Sequence, residues 1–232
     1  MTDADHVAHI RDQLGPCVLL KIPTGEKGPR IRGWQRLRQT DMTPEYLASL
    51  NHGQNIGVLL GAASEGLCSI DIDNDNQLEA FLRLNLRLRE SLISRGARGG
   101  NVWIRVEGEY PRPGKLVLAG KPWGEWRADG HQTVIHGRHP SGRDYTNNNK
   151  RPLEIEFSEI NWLEGLELPW EQRPPFPEIL SEGGAASGGA FTSNDAGRAD
   201  RFVSRFCAVM VTGSGVRRCR SMPRAAQPEV NL

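Results

Sequence analysis

The alternation of apolar and polar residues along the chain predicts many short strands and few helices. Within the strand predicted at 67–73, apolar and polar residues alternate from 68 to 73, a short apolar run at 17–20 predicts a buried strand, and residues 55–60 predict another. Further strands are expected near residues 101–107, 115–119, 132–136 and 152–157. Helices are expected near the N-terminus, directly after Thr43 and over residues 77–92. Because strands outnumber helices and the two are mixed in order, the pattern predicts the α+β class.

The segment 77–92 fits two patterns. Leu78, Phe81 and Leu82 recur at helical spacing, whereas the leucines from 82 to 88 alternate with polar residues, as in a strand. Its length and its content of Leu, Arg and Glu favour the helix.

Composition divides the chain into three parts. Residues 1–172 carry the periodic patterns and are predicted to form the folded domain. Residues 173–190 are rich in Pro, Gly, Ser and Ala, which is the composition of a linker. Residues 191–232 combine little amphipathic period with a basic cluster, so we expect a disordered basic tail.

Charge and cysteine content exclude several classes of protein. The formal net charge of +1 gives no global signal for nucleic acid, so any such binding must come from local patches. The four cysteines are scattered without a C-x-x-C pair, which argues against a disulfide framework and a zinc module. No apolar run could span a membrane, and the acidic start is no secretory signal. We therefore expect a cytoplasmic protein without a membrane partner.

Two aspartates at the end of one predicted strand carry the strongest chemical signal. Asp71 and Asp73 are two residues apart in 67–73, so both carboxylates leave one face while the apolar residues leave the other. Neighbouring carboxylates repel unless a cation lies between them, and hard oxygen ligands suit Mg²⁺ or Mn²⁺. The pair predicts a divalent-metal site for phosphoryl transfer, the alternative being a strand that runs into the acidic turn at 74–76.

Two further segments supply candidate partners for this site. Arg95 and Arg98 lie in a glycine-rich loop whose backbone and guanidinium groups suit phosphate, although a flexible turn with solvated arginines is the alternative. Glu125 and Arg127 would share one strand face, and Glu125 could be a third metal carboxylate.

Three histidines and three tryptophans near these segments have simpler explanations. His131 and His136 are expected to be structural, and His139 lies in a turn before a proline. Trp34, Trp103 and Trp126 are expected in the core, the alternative being that one of them stacks on a base.

These segments, in this order, resemble the prim-pol branch of the archaeo-eukaryotic primase superfamily. The matching segments are the basic loop from Lys27 to Trp34, residues 55–58 with Gly61, Asp71 with Asp73, Glu125 with Arg127 and Gly130, and residues 139–142 with Tyr145. Five motifs in the family's order, over about residues 15–160, are a fairly specific match.

The resemblance implies both a fold and an activity. The fold is a primase-polymerase fold, with an antiparallel RRM-like catalytic sheet and a smaller N-terminal α/β part. The activity is that of a template-directed DNA primase/polymerase, which takes nucleoside triphosphates and a DNA template or primer. The implied metal ligands for two divalent ions, Mg²⁺ or Mn²⁺, are Asp71, Asp73 and Glu125. The implied nucleotide-phosphate ligands are Lys27, Arg95, Arg98, Arg127 and His139. Family members often continue into a helicase where this chain has its linker, so a helicase is a candidate partner.

One departure from the family pattern bears on activity. The family places a histidine just after its Gly-Gly pair, where it helps to hold the triphosphate, but Asn101 follows Gly99 and Gly100 here. Arg95 or Arg98 could replace it, since guanidinium binds phosphate well. Otherwise the domain would be a catalytically silent nucleic-acid-binding module of a replication protein. A third hypothesis, a glycosyltransferase with an Asp-x-Asp metal site, leaves the basic loop and Glu125 without roles.

Overall fold

The computed structural model describes residues 3–51 and 53–171, with only the backbone for residues 3–5. The α-helices are α1 (Asp3–Leu14), α2 (Pro44–Ser49) and α3 (Asp75–Leu84). The strands are β1 (Val18–Ile22), β2 (Asn55–Leu59), β3 (Leu67–Ile72), β4 (Ile93–Arg95), β5 (Gly100–Glu107), β6 (Gly114–Leu118), β7 (Lys121–Arg127), β8 (Gln132–His136), β9 (Thr146–Asn147), β10 (Leu153–Glu156) and β11 (Leu166–Glu167). All these elements belong to one unit, Met1–Glu178. The predicted linker (173–190) and tail (191–232) lie outside the described residues.

Helix α2 begins where the sequence predicts. The Thr43 hydroxyl accepts a hydrogen bond from the Tyr46 amide at 3.2 Å, and Pro44 occupies the first helical position. Both features satisfy the needs of a helix N-terminus, since proline lacks the amide that would otherwise go unbonded there. No helix in the described ranges has the length and apolar character needed to cross a membrane.

The helix predicted over 77–92 is only partly correct. Helix α3 ends at Leu84, and a 3₁₀ segment, Leu86–Glu90, follows it. Asn85 stands at the break, where its side chain donates to the carbonyls of Phe81 (3.0 Å) and Asn161 (2.8 Å). An asparagine that bonds the backbone in this way competes with helical hydrogen bonding and so ends the helix.

The strands form two sheets, and the fold is mixed α and β with mainly antiparallel pairing. The smaller sheet has the order β1-β2-β8, and the larger has the order β11-β6-β7-β3-β5-β4-β9, with β10 parallel to β5. The α+β class is therefore confirmed. The smaller part is not wholly N-terminal, however, because its third strand, β8, directly follows β7 of the larger sheet. Local periodicity predicts a strand there but carries no information about its partner.

Strand β3 separates two apolar cores. Cys68, Ile70 and Ile72 are fully buried in the core that also contains α3. Leu67 leaves the opposite face and belongs to the other core, with the smaller sheet. On that same face the Ser69 hydroxyl forms a hydrogen bond of 2.9 Å with the Thr133 hydroxyl of β8. The polar end of this face, beyond Ser69, is where the candidate site lies.

Candidate active site

Two carboxylates face each other across neighbouring strands. Asp71 of β3 is paired directly with Glu125 of β7 in the antiparallel register. Directly opposed residues of antiparallel strands have Cα atoms about 4.5–5.5 Å apart, so these side chains share one face of the sheet. Asp73 follows β3 by one residue and is exposed. We call Asp71, Asp73 and Glu125 the acidic group; all three line one cleft of about 620 Å³.

Two glycines allow other segments to approach the end of β3. Gly124 is paired with Ile72, and a Cβ atom at residue 124 would overlap the Asp71 carbonyl oxygen. Gly99 has a φ of 62°, and a Cβ atom there would overlap the Ile72 carbonyl oxygen. Only glycine combines this left-handed backbone with so close an approach. The Gly-Gly motif therefore brings the loop before β5 against the acidic group.

Arg127 joins the two paired carboxylates. Its Nη2 lies 2.5 Å from Oδ2 of Asp71, and its Nε lies 2.6 Å from Oε2 of Glu125. Its Nη1 is 3.4 Å from the hydroxyl of Thr133, which is itself buried. Glu125 and Arg127 share a strand face, as predicted, but the guanidinium group lies between carboxylates instead of projecting toward open solvent.

The environment raises the pKa of Asp71. Burial is the largest cause, because it disfavours the charged carboxylate. Arg127 lowers the pKa, while the charges of Asp73 and Glu125 raise it again. Burial and the two neighbouring carboxylates therefore outweigh Arg127 in their effect on the pKa of Asp71, and a bound cation would act in the same direction as Arg127.

The cationic candidates divide between the cleft and its surroundings. Lys27, Arg98 and His139 line the cleft. Within the described residues no carboxylate pairs with Arg98, so its charge is available to a ligand. Arg95 does not line the cleft: its Nη1 lies 2.7 Å from Asp75 and 3.2 Å from the Gly99 carbonyl oxygen. A role for Arg95 as a phosphate ligand stays a prediction.

His139 is held in place by its own turn. Its Nδ1 lies 2.8 Å from the Ser141 hydroxyl, and its ring packs edge-on against Tyr145, which also lines the cleft. Burial and the charge of Lys27 lower the pKa of His139, so the ring favours its neutral form. A neutral imidazole can accept or donate a hydrogen bond but adds no charge to the cleft.

Two residues that were not predicted as ligands line the cleft beside the acidic group. His131, expected to be structural, places Nδ1 3.6 Å from Oε1 of Glu125. Asn101 is paired with Asp71 across β3 and β5, and its Oδ1 is buried without a hydrogen-bond partner among the described residues. The signal for Asn101 was its position after the Gly-Gly pair, where the motif places a histidine. Nothing in the local sequence distinguishes His131.

The tryptophans fall into two classes. Trp103 and Trp126 are fully buried, as expected of core residues. Trp34 is only partly buried, packs against the core of the smaller sheet and lines the cleft. Its indole is therefore one of the aromatic surfaces of the cleft, together with Tyr145.

The residues of the cleft fit a divalent cation by their chemistry. Hard oxygen donors are what Mg²⁺ and Mn²⁺ prefer. The acidic group supplies carboxylates, and Asn101 supplies an amide oxygen that has no hydrogen-bond partner in the described part of the chain. In the arrangement seen here, the described His, Cys, Asp and Glu residues form no cluster of three or more that could hold an ion. Arg127 instead bonds both Asp71 and Glu125.

Comparison with known proteins identifies the family. None of the curated proteins compared matches the chain. The family model described as "Bifunctional DNA primase/polymerase, N-terminal" matches residues 10–161, which include the whole acidic group and every strand except β11. The resemblance seen in the sequence is thereby confirmed, and the chain belongs to the Prim-Pol family.

Proposed function

We propose that this domain is a template-directed DNA primase/polymerase that joins nucleoside triphosphates by a two-metal mechanism. The observation that carries the proposal is the direct pairing of Asp71 with Glu125 across two neighbouring strands, with Asp73 in the same cleft. Family membership supports nucleotidyl transfer as the class of activity. The cleft volume of about 620 Å³ lies within the range of about 300–1,000 Å³ typical of small-ligand sites.

Each side of the cleft has its own role in this proposal. Asp71, Asp73 and Glu125 hold two Mg²⁺ or Mn²⁺ ions, which supply Lewis-acid chemistry at the attacking hydroxyl and the leaving pyrophosphate when bound. Arg98 and Lys27 bind the triphosphate as charged donors.

The basic loop from Lys27 to Trp34 is the proposed contact for a DNA template or primer. Arg32 is exposed in this loop, and Arg30 is exposed although paired with Glu26. Trp34 lies where the loop reaches the cleft and would stack on a base. A replication module with a helicase domain or protein as partner is part of the same proposal.

Asn101 supports a second candidate, a catalytically silent nucleic-acid-binding module. In place of the family's histidine it offers a neutral amide, whose oxygen is buried and which has no charge with which to hold a triphosphate. Such a module would keep its DNA contacts and lose nucleotide transfer.

One assay separates the two candidates. The full chain is tested for primer extension and for de novo priming with labelled nucleotides, with Mg²⁺, with Mn²⁺ and with a chelator. The active enzyme incorporates nucleotide only with a divalent ion, and Asp71→Asn abolishes incorporation. Glu154→Gln, on an exposed position of β10, is the matched control and keeps activity. DNA binding with a steep salt dependence, but no incorporation under any metal, would establish the silent module instead.

A further inference from the structure

We infer that Arg127 is an internal counter-cation that competes with divalent metal for the acidic group. It neutralises Asp71 and Glu125 when no ion is bound, and it leaves at least one of them when the site is loaded. The inference rests on the proposed function, since it concerns the regulation of that same site.

The geometry of Arg127 is that of a shared ligand. Its two nitrogens reach different carboxylates, at 2.5 Å for Asp71 and 2.6 Å for Glu125. The three side chains are only 22–26 % exposed, so water screens their charges poorly. A charge-assisted pair in such surroundings is far stronger than an exposed one, and opposed carboxylates would repel without it. Arg127 therefore supplies positive charge between the two carboxylates, as a bound cation would.

Both cations cannot hold the same place. The oxygens that Arg127 bonds, Oδ2 of Asp71 and Oε2 of Glu125, belong to the carboxylates proposed to hold the ions. A guanidinium group beside a divalent ion repels it strongly at low dielectric. Arg127 must therefore withdraw from part of the acidic group, and this withdrawal opposes metal binding.

The surroundings give Arg127 a second position to occupy. Its Nη1 lies 3.4 Å from the Thr133 hydroxyl, which is fixed by its bond to Ser69. That end of the guanidinium group keeps its neighbour when the carboxylates are released. The same cleft contains Arg98 and Lys27, so the freed donors of Arg127 join the groups that bind anions. Metal loading and phosphate binding are thereby coupled through one side chain.

The decisive measurement is Mn²⁺ affinity of the full chain without nucleotide or DNA, by calorimetry or by the electron-spin signal of free Mn²⁺. Arg127→Gln is expected to tighten Mn²⁺ binding by about tenfold or more, because it removes both the competitor and its charge. Arg98→Gln removes one charge from the same cleft without touching the acidic group, so it is the matched control. It should tighten binding by about threefold at most, since a screened charge at longer range contributes less. Arg127→Lys keeps the charge but cannot bond both carboxylates, and should fall between wild type and Arg127→Gln.

The sign of the effect decides the question. Weaker Mn²⁺ binding by a folded Arg127→Gln would show that Arg127 only positions the carboxylates and would overturn the inference. A gain equal to that of Arg98→Gln would reduce the effect to general electrostatics and would also overturn it. If circular dichroism shows that Arg127→Gln is unfolded, Arg127→Lys decides alone: tighter binding than wild type supports competition, and equal or weaker binding refutes it.

The proposed function is tested separately. Tighter Mn²⁺ binding by the Arg127 variants without any nucleotide incorporation by the wild type would uphold the inference and refute the polymerase. Nucleotide incorporation by the wild type, with no gain in Mn²⁺ affinity when Arg127 is removed, would support the polymerase and refute the inference about Arg127.

Discussion

The two paired carboxylates of the cleft and the cationic residues of its loops are held in very different ways. Asp71 and Glu125 stand on adjacent strands whose register fixes their spacing, with a buried core behind them. Lys27, Arg98 and His139 stand in loops outside the strands. Groups that must share an ion need a fixed separation, whereas groups that meet a flexible triphosphate can adapt to it. The sheet therefore fixes the spacing of the paired carboxylates, whereas the loops let their cationic side chains adjust to a ligand.

The sharpest way to break this comparison is to neutralise the residues on the strands. Asp71→Asn or Glu125→Gln should lower nucleotide incorporation by about a thousandfold or more, since loss of a metal ligand removes several kcal/mol of stabilisation. Single-turnover incorporation is the measurement, and circular dichroism verifies folding. Full incorporation by the double variant would end the two-metal hypothesis.

A smaller effect is expected in the loops. Arg98→Ala should weaken nucleotide binding by about tenfold to a hundredfold, because a charge-assisted bond to phosphate contributes about 1.5–3 kcal/mol. Arg98→Lys should recover only part of the lost nucleotide affinity, since lysine lacks the planar guanidinium group with its paired donors. Arg95→Ala is the comparison within the same loop and should change affinity little, because Arg95 is paired with Asp75. Equal losses of nucleotide affinity in the two alanine variants would show that Arg95 also binds the phosphate.

The close packing of the two acidic strands can be tested without any ligand. Gly124→Ala places a Cβ atom against the Asp71 carbonyl oxygen and should lower the free energy of unfolding by about 1–3 kcal/mol, the usual cost of overpacking. Gly28→Ala is the matched control, because a Cβ atom there meets no atom within 4 Å. Denaturant unfolding measures both. Unchanged stability in Gly124→Ala would mean that β3 and β7 are less tightly joined than described.

The smallest expected effect is a change in the pH dependence of stability. The native protein raises the pKa of Asp71, chiefly by burial, so it binds that proton more tightly than the unfolded chain. Stability from this group is therefore fully present below the ordinary aspartate pKa and is lost as pH rises through the raised native value. With a chelator present, Asp71→Asn should remove this loss, so the midpoint temperature of thermal unfolding should vary less with pH across that window. An unaltered pH profile would argue against the burial of Asp71.

The sequence was informative wherever local chemistry decides the structure. The period of two through 67–73 predicted both the strand and the face of Asp71, and Thr43 with Pro44 predicted the start of α2. The shared face of Glu125 and Arg127 followed from the same period.

Long-range pairing and loop conformation could not be obtained in this way. The pairing of β8 with β2 joins residues far apart in the chain, so no periodicity encodes it. The ion pair of Arg95 depends on where α3 begins relative to the glycine loop. The contact of Arg127 with Asp71 needed the register of β3 against β7, which neither segment specifies alone.

The crossing from β7 to β8 has a consequence for how the protein is made. Strands β1 and β2 emerge early, but their sheet is completed only by β8, which follows β7 after residues 128–131. Closing so long a loop carries an entropic cost that only the finished contacts offset. Thr133, which contacts Arg127, arrives with that last strand. A nascent chain on the ribosome therefore has no complete cleft until Tyr145, which also lines it, has been synthesised and released.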